Sequence, residues 1–113
     1  MIPETTSRMP NGQPSNDLVE ASVEYTDRDG EYVRLTYGKF LRDGYSRGKP
    51  VTISVKGLRA YTFDDEPLCD FWVDRYPILA NSPIEILKIF EEIKRERVSV
   101  DDLETEIANA LAN

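Results

Sequence analysis

The apolar pattern of this chain changes its period once, and that change orders the fold. From Leu18 to Val73 apolar and polar residues alternate in short runs; from Ser82 onward apolar residues recur every third or fourth position. Period two belongs to half-buried strands and period 3.6 to amphipathic helices. Strands grouped first and helices grouped last predict an α+β fold with an antiparallel sheet, not a βαβ one.

The strands can be followed one by one. In "LVEASVEYT" Val19, Ala21, Val23 and Tyr25 share a face. "DRDG" turns the chain, Gly30 supplying the positive φ that a short connection needs, and "EYVRLTYGKF" returns with Val33, Leu35 and Tyr37 opposite Tyr32, Arg34 and Thr36. "VTISV" alternates again through Val51, Ile53 and Val55. "KG" at 56 and 57 predicts a tight hairpin into "LRAYTF", where Leu58 and Ala60 oppose Arg59, Tyr61 and Phe63. After "DDEP", "LCDFWVD" points Cys69, Phe71 and Val73 one way and Asp70 and Trp72 the other. The expectation is a meander of about five strands with the helices packed on one face.

Two helix starts are signalled. Ser82 is placed to cap, Pro83 stands at the first helical position and Glu85 completes a capping box, ahead of a stripe through Ile86, Phe90 and Ile93 joined by Leu87 and Ile89. Ser99 and Asp102 repeat the device before Leu103, Ile107 and Leu111. Residues 1–16, with three prolines and little that could pack, read as a flexible tail, leaving 17–113 as a single domain.

Composition bounds the function. There is no histidine among the 113 residues, which removes the commonest general base and transition-metal ligand and with them Ser-His-Asp and Cys-His chemistry. The single cysteine, Cys69, can form neither an internal disulfide nor a thiolate zinc site and fits a reducing compartment. No apolar run approaches a membrane span and the amino terminus lacks the apolar core of a signal peptide, so a cytoplasmic location is expected. Neither a GxGxxG nor a Walker pattern occurs. A protein without cofactor or metal, and not an enzyme, is the expectation.

Charge is distributed unevenly on a chain of net charge −7. Between 34 and 59 stand Arg34, Lys39, Arg42, Arg47, Lys49, Lys56 and Arg59 against Asp43 alone, whereas the remainder from 64 onward is acidic. Two binding features are predicted from this. One is a basic loop at 39–49, offering Lys39, Arg42, Tyr45, Arg47 and Lys49; the plain alternative is a solvated connection that Gly44 and Gly48 allow to turn. The other is the sheet face carrying Tyr32, Arg34, Arg59, Tyr61, Phe63 and Trp72, a composition enriched at protein interfaces, unless the tail, the second helix or a homodimer covers it. An acidic protein partner is favoured; a nucleic acid gripped by the basic 34–59 region is the alternative, disfavoured by the acidic remainder. The carboxylates Asp64, Asp65, Glu66, Asp70 and Asp74 suggest a metal-dependent hydrolase as a third reading, against a simple turn and strand face. "TDRDGE" shares part of a calcium loop but lacks its later ligands and reads as a turn.

Overall fold

The computed structural model describes residues 18–112; residues 1–17 and 113, and with them the predicted tail at 1–16, lie outside the described residues. Strands β1 (Leu18–Thr26), β2 (Tyr32–Ser46), β3 (Lys49–Tyr61) and β4 (Pro67–Trp72) form one antiparallel sheet in the order β1-β2-β3-β4. A 3-10 turn (Pro77–Ala80) then leads to helices α1 (Pro83–Glu96) and α2 (Val100–Ala112). The α+β meander followed by two helices is as expected, but the sheet has four strands rather than about five.

The missing strand boundary is at "KG". β3 runs straight through it, Gly57 pairing with Gly38 on β2 and with Trp72 on β4. A Cβ at Gly57 would stand 2.6 Å from Cε3 of Trp72 and 2.7 Å from the carbonyl oxygen of Phe71. The glycine therefore admits an indole over the strand instead of bending it. The turn lies instead at Arg47 and Gly48, with φ of 54° and 78°. Two successive positive φ values make the mirror-type two-residue hairpin whose twist matches that of the strands it joins. The predicted basic loop at 39–49 is consequently strand for most of its length, Lys39 to Ser46 pairing with Lys56 to Lys49.

One face of the sheet meets the helices. Val23 and Tyr25 of β1, Val33, Leu35 and Tyr37 of β2, Leu58 and Ala60 of β3 and Phe71 of β4 pack with Ile86, Phe90 and Ile93 of α1 and Leu103, Ile107 and Leu111 of α2. Each such leucine, isoleucine or phenylalanine contributes roughly 1.5–3 kcal/mol by leaving water. Helix α1 starts where its capping residues predict, Ser82 accepting from the Glu85 N–H. The Tyr37 hydroxyl anchors the connection, 2.7 Å and 2.8 Å from the carbonyl oxygens of Leu79 and Asn81.

The link between the helices is tied to the far end of β1. The Tyr25 hydroxyl donates to the carbonyl of Val98 at 2.8 Å. Arg97, in the left-handed conformation that ends α1, donates to the carbonyls of Thr26 and Asp27. Asp27 is fully buried: Oδ1 accepts from the N–H groups of Asp29 and Glu31, and Oδ2 accepts from that of Val100 at 2.9 Å. A β-turn carboxylate thus satisfies the first exposed N–H of α2, at the positive end of its dipole.

Candidate functional site

Beyond Phe40 and Val55 the middle strands outrun their neighbours. Among the described residues β1 pairs with β2 only up to Lys39, and β4 pairs with β3 only from Gly57 onward, so Phe40–Ser46 and Lys49–Val55 project as a two-stranded arm. Side chains alternate across a strand, which carries the helix-free face of the sheet out along one side of this arm.

Register assembles that face. Arg34 lies opposite Tyr61; Thr36, Arg59 and Asp70 form one row; Gly38, Gly57 and Trp72 form the next; Phe40 faces Val55 and Arg42 faces Ile53. The rows interleave cations and rings. The Arg34 guanidinium sits 4.3 Å from the Tyr61 centroid and that of Arg59 5.0 Å from Phe40, while Trp72 has Arg42 at 5.0 Å and Arg59 at 6.0 Å. Phe40 meets Trp72 edge to face at 6.4 Å and is only 1% exposed although no helix among the described residues lies on its side. Arginine stems and rings have built a second, thin apolar layer there.

Each arginine is also ion-paired. Arg34 bonds Asp65 at 2.9 Å, Arg59 bonds both oxygens of Asp70 at 2.7 Å and 3.3 Å, and Arg42 bonds both oxygens of Asp74 at 2.7 Å and 3.3 Å. On the opposite face Lys56 pairs with Glu20 at 3.0 Å over the Tyr37 ring. Burial alone would weaken the Arg59 charge, but its bonds to Asp70 and Tyr61 outweigh it, and the guanidinium is held above its ordinary range. The bond from Arg42 holds the Asp74 carboxyl below its ordinary range. Arg59 and Asp74 are thus held in their charged forms.

The predicted site residues divide accordingly. Tyr32, Arg34, Arg42, Arg59, Tyr61 and Trp72 come together on the helix-free face. Lys39 and Tyr45 point to the other side of the sheet, Arg47 forms the arm's turn and Lys49 opens β3. Lys39, Arg47 and Lys49 have no ion pair among the described residues. Phe63 does not belong to the face: β3 ends at Tyr61, and Phe63 stands exposed in the following turn. The carboxylates at 64–74 do not converge, for Asp65, Asp70 and Asp74 each turn to a different arginine, and no group of three His, Cys, Asp or Glu side chains gathers among the described residues.

Cys69 lies on the helix side of β4, its thiol pushed up to about 12 by burial first and then by the charges of Glu104 and Asp70. It is a protonated, unreactive thiol at neutral pH. Phe40 and the projecting arm were not anticipated from the sequence. The opposition of "LRAY" and "CDFW", which sets Arg59 against Asp70, is the signal that could have revealed the ion pairing.

No helix among the described residues is long and apolar enough to cross a membrane. No family model matches the chain, and no curated protein or solved structure matches it.

Proposed function

We propose that this chain is a small non-enzymatic module that binds another protein on the helix-free sheet face, with the basic arm tip drawing in an acidic surface. The observation that carries the reading is the ladder of arginines and aromatic rings, left uncovered among the described residues, each cation stacked on a ring and held by a carboxylate of the same chain. Arginine, tyrosine and tryptophan dominate the energetic centres of protein interfaces. Side chains already fixed by stacking and ion pairing lose little further freedom on binding, which favours affinity. Arg47 and Lys49 at the tip then add long-range attraction for an acidic partner.

Nucleic acid is less well served. Among the described residues four of the seven cations between 34 and 59 are matched by carboxylates, leaving Lys39, Arg47 and Lys49 to meet phosphates. Affinity for a polyanion scales with the number of phosphates neutralised, and three contacts give a weak, salt-sensitive grip. The carboxylate-metal reading is less well supported, because Asp65, Asp70 and Asp74 are each turned to an arginine.

Affinity capture from the source cell tests the proposal, with the wild type beside Tyr61→Ser and Arg47→Glu/Lys49→Glu, each checked by thermal melting. Proteins retained by the wild type and lost with Tyr61→Ser are the expected result. Retention that survives both variants sinks the reading, and retention that a nuclease abolishes transfers the function to nucleic acid.

A further inference from the structure

The arm leaves one edge of β3 open. β4 covers β3 from Tyr61 to Gly57, and the Val73 N–H donates to the Lys56 carbonyl at 3.0 Å, so the free edge begins at Val55 and ends at the Arg47–Gly48 turn. Backbone groups in an antiparallel ladder point alternately toward one neighbour and the other. Since Lys56 faces outward, Ser54 and Thr52 do so too, and among the described residues nothing bonds their outward N–H and C=O groups. Pro50, which has no N–H to offer, closes the row.

The open segment reads Val51-Thr52-Ile53-Ser54-Val55 and is nearly the same in both directions about Ile53. It has no charge, proline or bulge, the devices that usually protect an edge from pairing. Val51, Ile53 and Val55 stand half-buried on the helix-free face.

The geometry points to a second copy of this chain as the occupant: two arms lie edge to edge, antiparallel, about a two-fold axis at Ile53, and join the two sheets into one. In this register Thr52 faces Ser54 of the other copy as a hydrogen-bonded pair, Ile53 faces its own counterpart and Val51 faces Val55. Hydroxyl meets hydroxyl and branched aliphatic meets branched aliphatic, both favourable cross-strand pairings, and no like charges are opposed. A slip toward the tip brings Pro50 into the hydrogen-bonding row without a donor. A slip toward the base runs into Val73. The opposite edge of the arm is a poorer choice, because self-pairing there about Asp43 would set two carboxylates against each other. The two tips, carrying Arg47 and Lys49, extend toward the end of β4 in the other copy, where the side chain of Asp74 is 56% exposed. The contact is isologous and closes at two copies. It goes beyond the docking face proposed above and does not depend on it.

Sedimentation of the full chain over a concentration series up to millimolar tests the pairing. The wild type is expected to shift from monomer to dimer, and Thr52→Pro to stay monomeric with an unchanged melting temperature at low concentration, because that proline removes only an outward N–H. A disulfide assay decides the matter even where Thr52→Pro fails to fold. In a Cys69→Ala background, Ile53→Cys on the axis is expected to oxidise to a covalent dimer faster than Tyr45→Cys on the same arm. A wild type monomeric at every concentration, a folded Thr52→Pro that dimerises equally well, or equal oxidation of the two cysteine variants overturns the proposal.

Discussion

Asp27 and Gly57 are the residues on which most else rests, and each has a measurable consequence. Asp27 has no accessible surface yet lies at the margin of the fold. Burial pushes its pKa up, but the N–H groups of Glu31, Val100 and Asp29 and the nearby charge of Arg97 outweigh that, and the net displacement is downward. A carboxylate with a lowered folded-state pKa stabilises fully above the ordinary carboxylate range and loses that contribution as pH falls through the folded value. Asp27→Asn is expected to remove about 2 kcal/mol at neutral pH, the value of charged hydrogen bonds to backbone, and to flatten the acid limb of stability in urea melts; an unchanged acid limb would show that the carboxylate is not the group titrating. Gly57→Ala drives a methyl group into the Trp72 ring and a backbone oxygen, at an expected cost of roughly 1–3 kcal/mol. Trp72 is the only tryptophan, so its fluorescence reports the displacement directly. Neither role is legible locally. The bond from Val100 to Asp27 spans 73 positions in sequence, and "KG" looks like a turn until the indole above Gly57 is seen.

At the scale of elements, legibility followed burial. The first half of β2 and both helices each have one face in the core, and their apolar residues repeat at the matching period; in β1 the period holds from Ala21 to Tyr25, but a register shift between Val19 and Ala21 sets Val19 opposite Gly38 and leaves it exposed instead of on the expected shared face. The arm has no helix beneath it among the described residues; its second strand keeps the alternation of "VTISV", but no period survives in "KFLRDGYSRGK" on its first. Its turn is disguised as well, with Arg47 at a position where asparagine or glycine is usual. The predicted aromatic and arginine face was legible because alternation within "YVRLTY" and "LRAY" fixes its side, whereas the carboxylates that hold it come from pairing between strands. A double-mutant cycle on Arg59→Ala and Asp70→Ala checks that pairing. The two side chains are 18% and 32% exposed, and a coupling of about 1 kcal/mol, at the upper end for partly exposed pairs, is expected. Added salt should shrink it only in part. Zero coupling would mean that the acidic cluster does not organise the face.

Taken whole, the molecule divides its labour between a body that folds and an arm that reaches. Every residue of the hydrophobic core lies outside Leu41–Ser54, and most of that stretch is exposed or only half-buried. Two-stranded ribbons contribute little stability of their own in water, so the arm is expected to be dispensable for folding. Replacing residues 43–52 by Asn-Gly keeps Arg42 opposite Ile53 and preserves the phase of the ladder, because the register at Arg42 and Ile53 is equivalent to that at Ser46 and Lys49, the pair that flanks the present turn. The body should then unfold in one cooperative transition with a stability within about 1 kcal/mol of the full chain, as for changes remote from a core. Trp72 should keep its emission, since Arg42, Phe40 and Arg59 remain around it. Collapse of the shortened chain would show that the arm is part of the folding unit; retention of the fold would show that the body folds without it.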